Sequence, residues 1–217
     1  MNRRFAALAA AGCFAATAHA APFQNGGFDV GAPANFVFDI PAGSTTIPGW
    51  TVSTGSVDWI TSSWTASTAP SSLDLVGSLG IGGVSQTFDT VPGTVYVVAF
   101  DLAGNPGGGP TVKPLTVTVD GVARTFTFDI TGRTGPAMGW ARQSFVFTAT
   151  GAATTIVFES DVRGLGGANN AGAALDNVTI GPQAPAAAAQ PVPLPWAHVG
   201  AALLVLLGAA GIARRRR

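Results

Sequence analysis

The stretch "LTVTVDGVARTFTFDI", residues 115–130, constrains this chain more than any other. Leu115, Val117 and Val119 alternate with Thr116 and Thr118, so an extended strand here has one apolar and one polar face. Asp120-Gly121 follows, a dipeptide suited to a two-residue hairpin turn, and Phe126, Phe128 and Ile130 resume the same period. A helix would scatter these side chains around its axis, whereas a β-hairpin collects them on one side.

The same texture runs from Pro22 to about Gly181. "VSQTF", "TVYVVAFDL", "QSFVFTA", "TTIVFES" and "ALDNVTI" are further candidate strands, separated by turn residues. Between the two ends of the chain no stretch sustains a 3.6-residue period. Many short strands with frequent turns predict an all-β fold, an antiparallel β-sandwich of jelly-roll form.

The ends have a different character. "MNRRFAALAAAGCFAATAHA" carries Arg3 and Arg4, an apolar run and Ala18-His19-Ala20 as a cleavage site, so residues 1–20 are expected to be a signal peptide and Ala21 the mature start. A lipoprotein box ending at Cys13 and a twin-arginine signal at Arg3-Arg4 are weaker alternatives, because Ala10 stands where Leu is usual and the arginines lack the remaining pattern. Residues 182–195 form a Pro- and Ala-rich linker ending in Pro191, Val192, Pro193, Leu194 and Pro195. Residues 196–213 are expected to be a single C-terminal transmembrane helix. Its apolar part, His198 to Ala213, covers only about 24 Å against a hydrocarbon core of about 30 Å. Arg214, Arg215, Arg216 and Arg217 follow as a basic cytoplasmic end.

Six of the eleven basic residues lie in those ends, leaving five bases against eleven acids in the domain between. A domain six charges negative is a poor partner for nucleic acid or for anionic membrane surfaces. The only cysteine is Cys13 and the histidines are His19 and His198, so the expected mature domain holds neither type. Their absence excludes thiolate or imidazole zinc sites, Cys–His nucleophiles and Ser-His-Asp triads there.

The remaining candidates are carboxylates and aromatics. Asp176 is in phase with Val178 and Ile180 in "ALDNVTI", so it points inward if they do, and a buried carboxylate must be paired, hydrogen-bonded or bound to a cation. A hard oxygen site for structural calcium would take Asp176 with Asp29 as second ligand if the terminal strands are neighbours; the alternative is a strand-start carboxylate accepting amide bonds. Trp59 and Trp64 lie among Ser and Thr and could stack on sugar rings, with Asp58, Asn105 or Lys113 orienting hydroxyls, while Trp50 reads as core. Glu159 and Asp161 share a strand face as a weak carboxylate pair for a glycoside hydrolase. The glycine stretches "GNPGGGP" and "GLGGANNAG" lack the spacing of phosphate-binding fingerprints and read as loops.

Taken together, "IPGWTVSTGSVDWI", "SLDLVGS", "VSQTFDTVPGTVYVVAFDLAGNPGGGPTVK", "TFTFDITG", "MGW" and "AALDNVTI" resemble the bacterial choice-of-anchor C family, from about Asn25 to Ile180. That resemblance implies a galactose-binding-like sandwich and carbohydrate binding without catalysis. It also implies a calcium shared between the first and last strands, at the positions of Asp29 and Asp176. The tail resembles PEP-CTERM sorting signals, which combine a proline motif, a membrane helix and a basic cluster and are cut by exosortase. Here Leu194 stands where that motif usually has Glu.

The expected protein is therefore exported by signal peptidase, held at the inner membrane through its C-terminal helix and cut by an exosortase-like enzyme. It then reaches the cell surface or extracellular matrix of a bacterium. There it is expected to act as a non-enzymatic binder of extracellular polysaccharide. A structural matrix protein acting by protein contacts is the alternative.

Overall fold

The hairpin expected from the alternation forms as β6, Val112–Val119, and β7, Val122–Asp129, paired antiparallel with Val119 opposite Val122. Asp120 and Gly121 both take positive φ, 47° and 77°, the backbone that a two-residue turn of matching twist requires. Leu115, Val117 and Val119 are buried on the inner face, as their phase demands.

The protein is described here by a computed structural model covering residues 21–167 and 169–184. Eight further strands accompany the hairpin: β1 Val37–Pro41, β2 Thr51–Ile60, β3 Ser72–Asp74, β4 Ile81–Asp89, β5 Val95–Gly104, β8 Ala141–Thr148, β9 Ala153–Asp161 and β10 Ala173–Pro182. Among the described residues no helix is long and apolar enough to cross a membrane. The expected signal peptide, the Pro191–Pro195 motif, the transmembrane helix and Arg214–Arg217 lie outside the described residues.

Every strand pairing is antiparallel. The path runs β7-β6-β9-β4-β2-β3-β10-β5-β8, with β1 on the free side of β2. The path becomes two layers because β2 serves both. Its first half pairs with β4, from Thr51 opposite Ser85 to Gly55 opposite Gly82. Its second half pairs with β3 and β1, Trp59 facing Leu73 on one side and Val37 on the other.

At the changeover two backbones pass too closely for side chains. A Cβ on Gly55 would lie 1.9 Å from the Ile81 carbonyl oxygen, and one on Gly82 would lie 2.0 Å from that of Ser56. Between the layers sits an aromatic core. Phe100 meets Phe158 and Phe126 edge-on at centroid distances of 5.3 and 5.2 Å, and Trp50 packs on Phe158 and Phe28. Trp50 is thus core, as its position after Pro48-Gly49 suggests.

Candidate functional site

A cleft of about 620 Å³ opens where segments distant in sequence converge. β1 supplies Phe38 and Asp39, and β2 supplies Asp58 and Ile60. The loops after β2, β3, β5 and β7 bring Trp64, Ser78, Asn105 and Arg133, and Asn170 precedes β10.

The wall at β1 is set by one residue in an uncommon conformation. Asp39 has φ of 55°, in the left-handed region, and the register jumps there from Val37 opposite Trp59 to Ile40 opposite Val57. The bulge leaves Ile40 buried while Phe38 turns outward. Phe36 and Phe38 are 42% and 53% exposed, with ring centroids 4.3 Å apart and planes tilted by 31°. They form one apolar surface at the rim.

The polar floor is a ladder of carboxylates. Asp39 accepts from the Ser78 amide at 2.6 Å, the Ser78 hydroxyl at 2.7 Å and the Ser56 hydroxyl at 3.2 Å. The Ser78 amide and hydroxyl, with Ser56 adding to them against a small burial effect, hold Asp39 below its usual range. Asp58 accepts the Asp39 amide at 2.8 Å; burial pushes it up to about 6, with the Asp39 charge adding to the rise.

Asp74 stands opposite Asp58 across the β2–β3 pair and is fully buried. It accepts from Asn105 Nδ2 at 2.7 Å and from the amides of Val76 and Gly172 at 3.0 Å each. Burial nevertheless pushes it up to about 7. Asn105 therefore spends one amide hydrogen beneath the cleft and is held in place by doing so.

Of the residues expected to bind ligand, Asp58, Trp64 and Asn105 line the cleft. Trp59 does not. It is 2% exposed, with its indole N–H shared between the Phe28 carbonyl at 3.0 Å and the Ser71 hydroxyl at 3.2 Å. Ser62 and Ser63 beyond it are surface residues, but the strand places the indole inside. Trp64 is 8% exposed, its N–H on the Ser72 hydroxyl at 2.8 Å, so it closes the cleft without offering an open face.

Lys113 is also displaced from its expected role: it is buried beneath the glycine loops. Its Nζ donates to the carbonyls of Gly108 and of Ala171, the latter at 2.6 Å, tying the loops after β5 and before β10 together. Burial pushes the lysine down to about 8, with Asp74 opposing. Glu159 and Asp161 do not line the cleft, and Asp161 is paired with Arg163 at 2.7 Å.

Two residues that sequence reasoning passed over complete the site: the Phe36–Phe38 pair already described supplies one, Phe38, and Arg133 the other. The guanidinium of Arg133 lies 5.7 Å from the Phe128 ring centroid.

The Asp29–Asp176 pair forms a separate place in the fold. The terminal segments are neighbours, the Val178 amide donating to the Gly26 carbonyl at 2.8 Å. Asp176 is fully buried and accepts from the Thr68 amide at 2.8 Å, the Thr68 hydroxyl at 3.1 Å and the Asn177 amide at 2.6 Å. Burial, with the Asp29 charge adding to it, pushes Asp176 up to about 6. Asp29 accepts from the Ser71 amide at 3.1 Å. Among the described residues no group of three or more His, Cys, Asp or Glu is placed to hold a metal ion.

The comparison with curated proteins finds no match. Among solved structures the chain is similar to a CBM4 protein, 21% identical over 74% of this chain and 99% of the other, at a TM-score of 0.40. It is similar to TmCBM61 in complex with β-1,4-galactotriose, 16% identical over 74% of this chain and 97% of the other, TM-score 0.45. A third is the CBM22-1 xylan-binding domain from Paenibacillus barcinonensis Xyn10C, 16% identical over 69% and 94%, TM-score 0.44. Likenesses this distant carry no argument about ligand. The family model that matches residues 21–181 is that of DUF642, described as a protein of unknown function, and the chain belongs to that family.

Proposed function

We propose that this chain is an exported, non-catalytic carbohydrate-binding protein of galactose-binding-like form, and that the cleft beside β1 takes the glycan. The observation that carries the reading is the exposed Phe36–Phe38 pair, Phe38 at the mouth of a cleft that also presents Asp58, Asn105 and Arg133. A sugar ring has an apolar face and a rim of hydroxyls, and this wall and floor suit those two surfaces respectively. Titration calorimetry against a glycan panel tests it. A glycan should bind the native chain, and Phe38→Ala should weaken that binding about tenfold, as loss of a stacking partner does. Binding unchanged in Phe38→Ala overturns the cleft assignment. A blank panel with self-association of the chain favours a structural matrix protein instead.

We propose further that Asp29 and Asp176 hold a structural calcium, with the Thr68 hydroxyl as a third oxygen. Support comes from two carboxylates near enough for the Asp29 charge to raise Asp176, one of them fully buried, whose mutual repulsion a hard cation would relieve. Calcium in excess should raise the melting temperature over that in chelator, and no shift removes the metal. Export and tail processing rest on the sequence of the ends. Intact mass of the chain from its native host decides them: a species ending near residue 195 means cleavage, and one retaining Arg217 means anchoring.

A further inference from the structure

Among the described residues the ion pairs are Arg142 with Asp101 and Arg163 with Asp161. Arg133 has no such partner, although it is the one basic side chain lining the cleft. It is nonetheless held. Its guanidinium lies over Phe128, and a Cβ on Gly139 would come within 2.3 Å of its Nη1, so the group packs close against backbone that carries no side chain there. Its loop is fastened as well: the Arg133 amide donates to the Ile130 carbonyl at 2.9 Å, and the Gly135 carbonyl accepts the Thr65 amide at 3.0 Å. Asp129, the nearest acid in sequence, gives one carboxylate oxygen to the Thr131 amide and hydroxyl and feels the Arg133 charge without forming an ion pair with it.

A guanidinium resting on Phe128 and given no ion-pair partner among the described residues is arranged to receive an anion. Its planar fork of donors matches a carboxylate in two-point contact, which an ammonium does not. We propose that Arg133 makes this cleft a receptor for anionic glycans, taking the carboxylate of a uronic acid while Phe38 carries the sugar ring; this rests on the carbohydrate reading above. One acid in the cleft does oppose it: Asp39, kept anionic by its hydrogen bonds, adds a repulsion that the fork of Arg133 must outweigh. Asp39 is engaged by Ser78 and Ser56, and Asp58 is buried and accepts the Asp39 amide. A sulfate ester offers the same negative oxygens as a carboxylate in tetrahedral rather than planar form.

The test is calorimetry on the full chain with oligomers of galacturonate, glucuronate and mannuronate, each beside its methyl ester. A sulfated galactan oligomer and neutral galactan and glucan oligomers complete the set. One uronate should bind about tenfold more tightly than its ester, and the advantage should shrink as salt is raised. Arg133→Lys should lose about tenfold on the acid and little on the ester, because charge is kept and the fork is not. Arg133 is exposed, and an unchanged melting temperature verifies that the variant is folded. Equal binding of acid and ester, or acid preference surviving in Arg133→Ala, overturns the inference and leaves carbohydrate binding standing. Preference for the sulfated galactan over every uronate overturns the carboxylate assignment. Failure of every glycan to bind overturns both readings.

Discussion

Asp39 shows how a single backbone conformation can aim an aromatic side chain. Strict alternation would put Phe36, Phe38 and Ile40 on one face, and the left-handed turn at Asp39 breaks that phase so that only Ile40 goes inward. A non-glycine residue there stores about 1 kcal/mol of strain, which the bonds from Ser78 and Ser56 offset. The arrangement needs Gly77 to be bare, since a Cβ would lie 2.3 Å from Ser56 Oγ and 2.5 Å from Asp39 Oδ1. Gly77→Ala should therefore push the Asp39 carboxylate from its seat and lower glycan affinity about as much as Phe38→Ala. Calorimetry beside a thermal melt checks this, and unchanged affinity would show that the bulge does not depend on that cradle. The same residues explain what sequence reasoning missed. Ser and Thr around Trp59 suggest exposure, but its surroundings in space are β1, β3 and Phe28, none adjacent in the chain. Phe38 reads as core by its period and is turned out by its neighbour.

At the scale of elements, what is local is legible. The β6–β7 hairpin follows from alternation and Asp-Gly alone, and the cores of β4, β5, β8, β9 and β10 coincide with the apolar runs. β3 is only three residues long, and the division of β2 between two layers is a property of its partners, so neither leaves a periodic signal. The division does leave glycines. Gly82→Ala should destabilise the protein by about 3 kcal/mol or more, because the added Cβ would meet the carbonyl oxygens of Ser56 and Leu75, which belong to backbone and cannot rotate aside. Gly43→Ala is the control. Unlike Gly82 it has positive φ, 86°, but its Cβ would meet nothing within 4 Å, so only the conformational cost of about 1 kcal/mol applies. Urea denaturation separates them, and equal losses would mean that steric approach at the layer change contributes nothing. Asp176 was legible from its phase with Val178. Its supports from Thr68 come from a residue 108 positions away and were not.

For the whole molecule the consequence of burying so many carboxylates is a particular dependence on pH. Asp58, Asp74 and Asp176 are raised, to about 6, 7 and 6, with burial first among the causes. Each binds its proton more tightly folded than unfolded, so its contribution is full below about pH 4 and is lost as pH rises through 6 to 7. Asp39 and Asp161 are lowered by their hydrogen bonds, and Asp101 is lowered because bonds from Ser67, Asn177 and Arg142 outweigh its burial. Their contribution is present above about pH 4 and lost as pH falls through the lowered values. Lys113, lowered to about 8 by burial, acts only at higher pH. The two carboxylate sets together place maximum stability near pH 5, and the melting temperature should fall from there toward pH 8 and again toward pH 3. Asp74 is the discriminating residue. Three donors point at its carboxylate, an arrangement that favours the anion, while complete burial favours the acid. If burial prevails, Asp74→Asn flattens the decline between pH 6 and 8, because the variant has no proton to lose. A melting temperature that holds or rises over that interval in the native chain would mean that the donors prevail and Asp74 stays an anion. The charge of that anion would then oppose the effect of burial on Lys113 and help keep it protonated where it ties the glycine loops together.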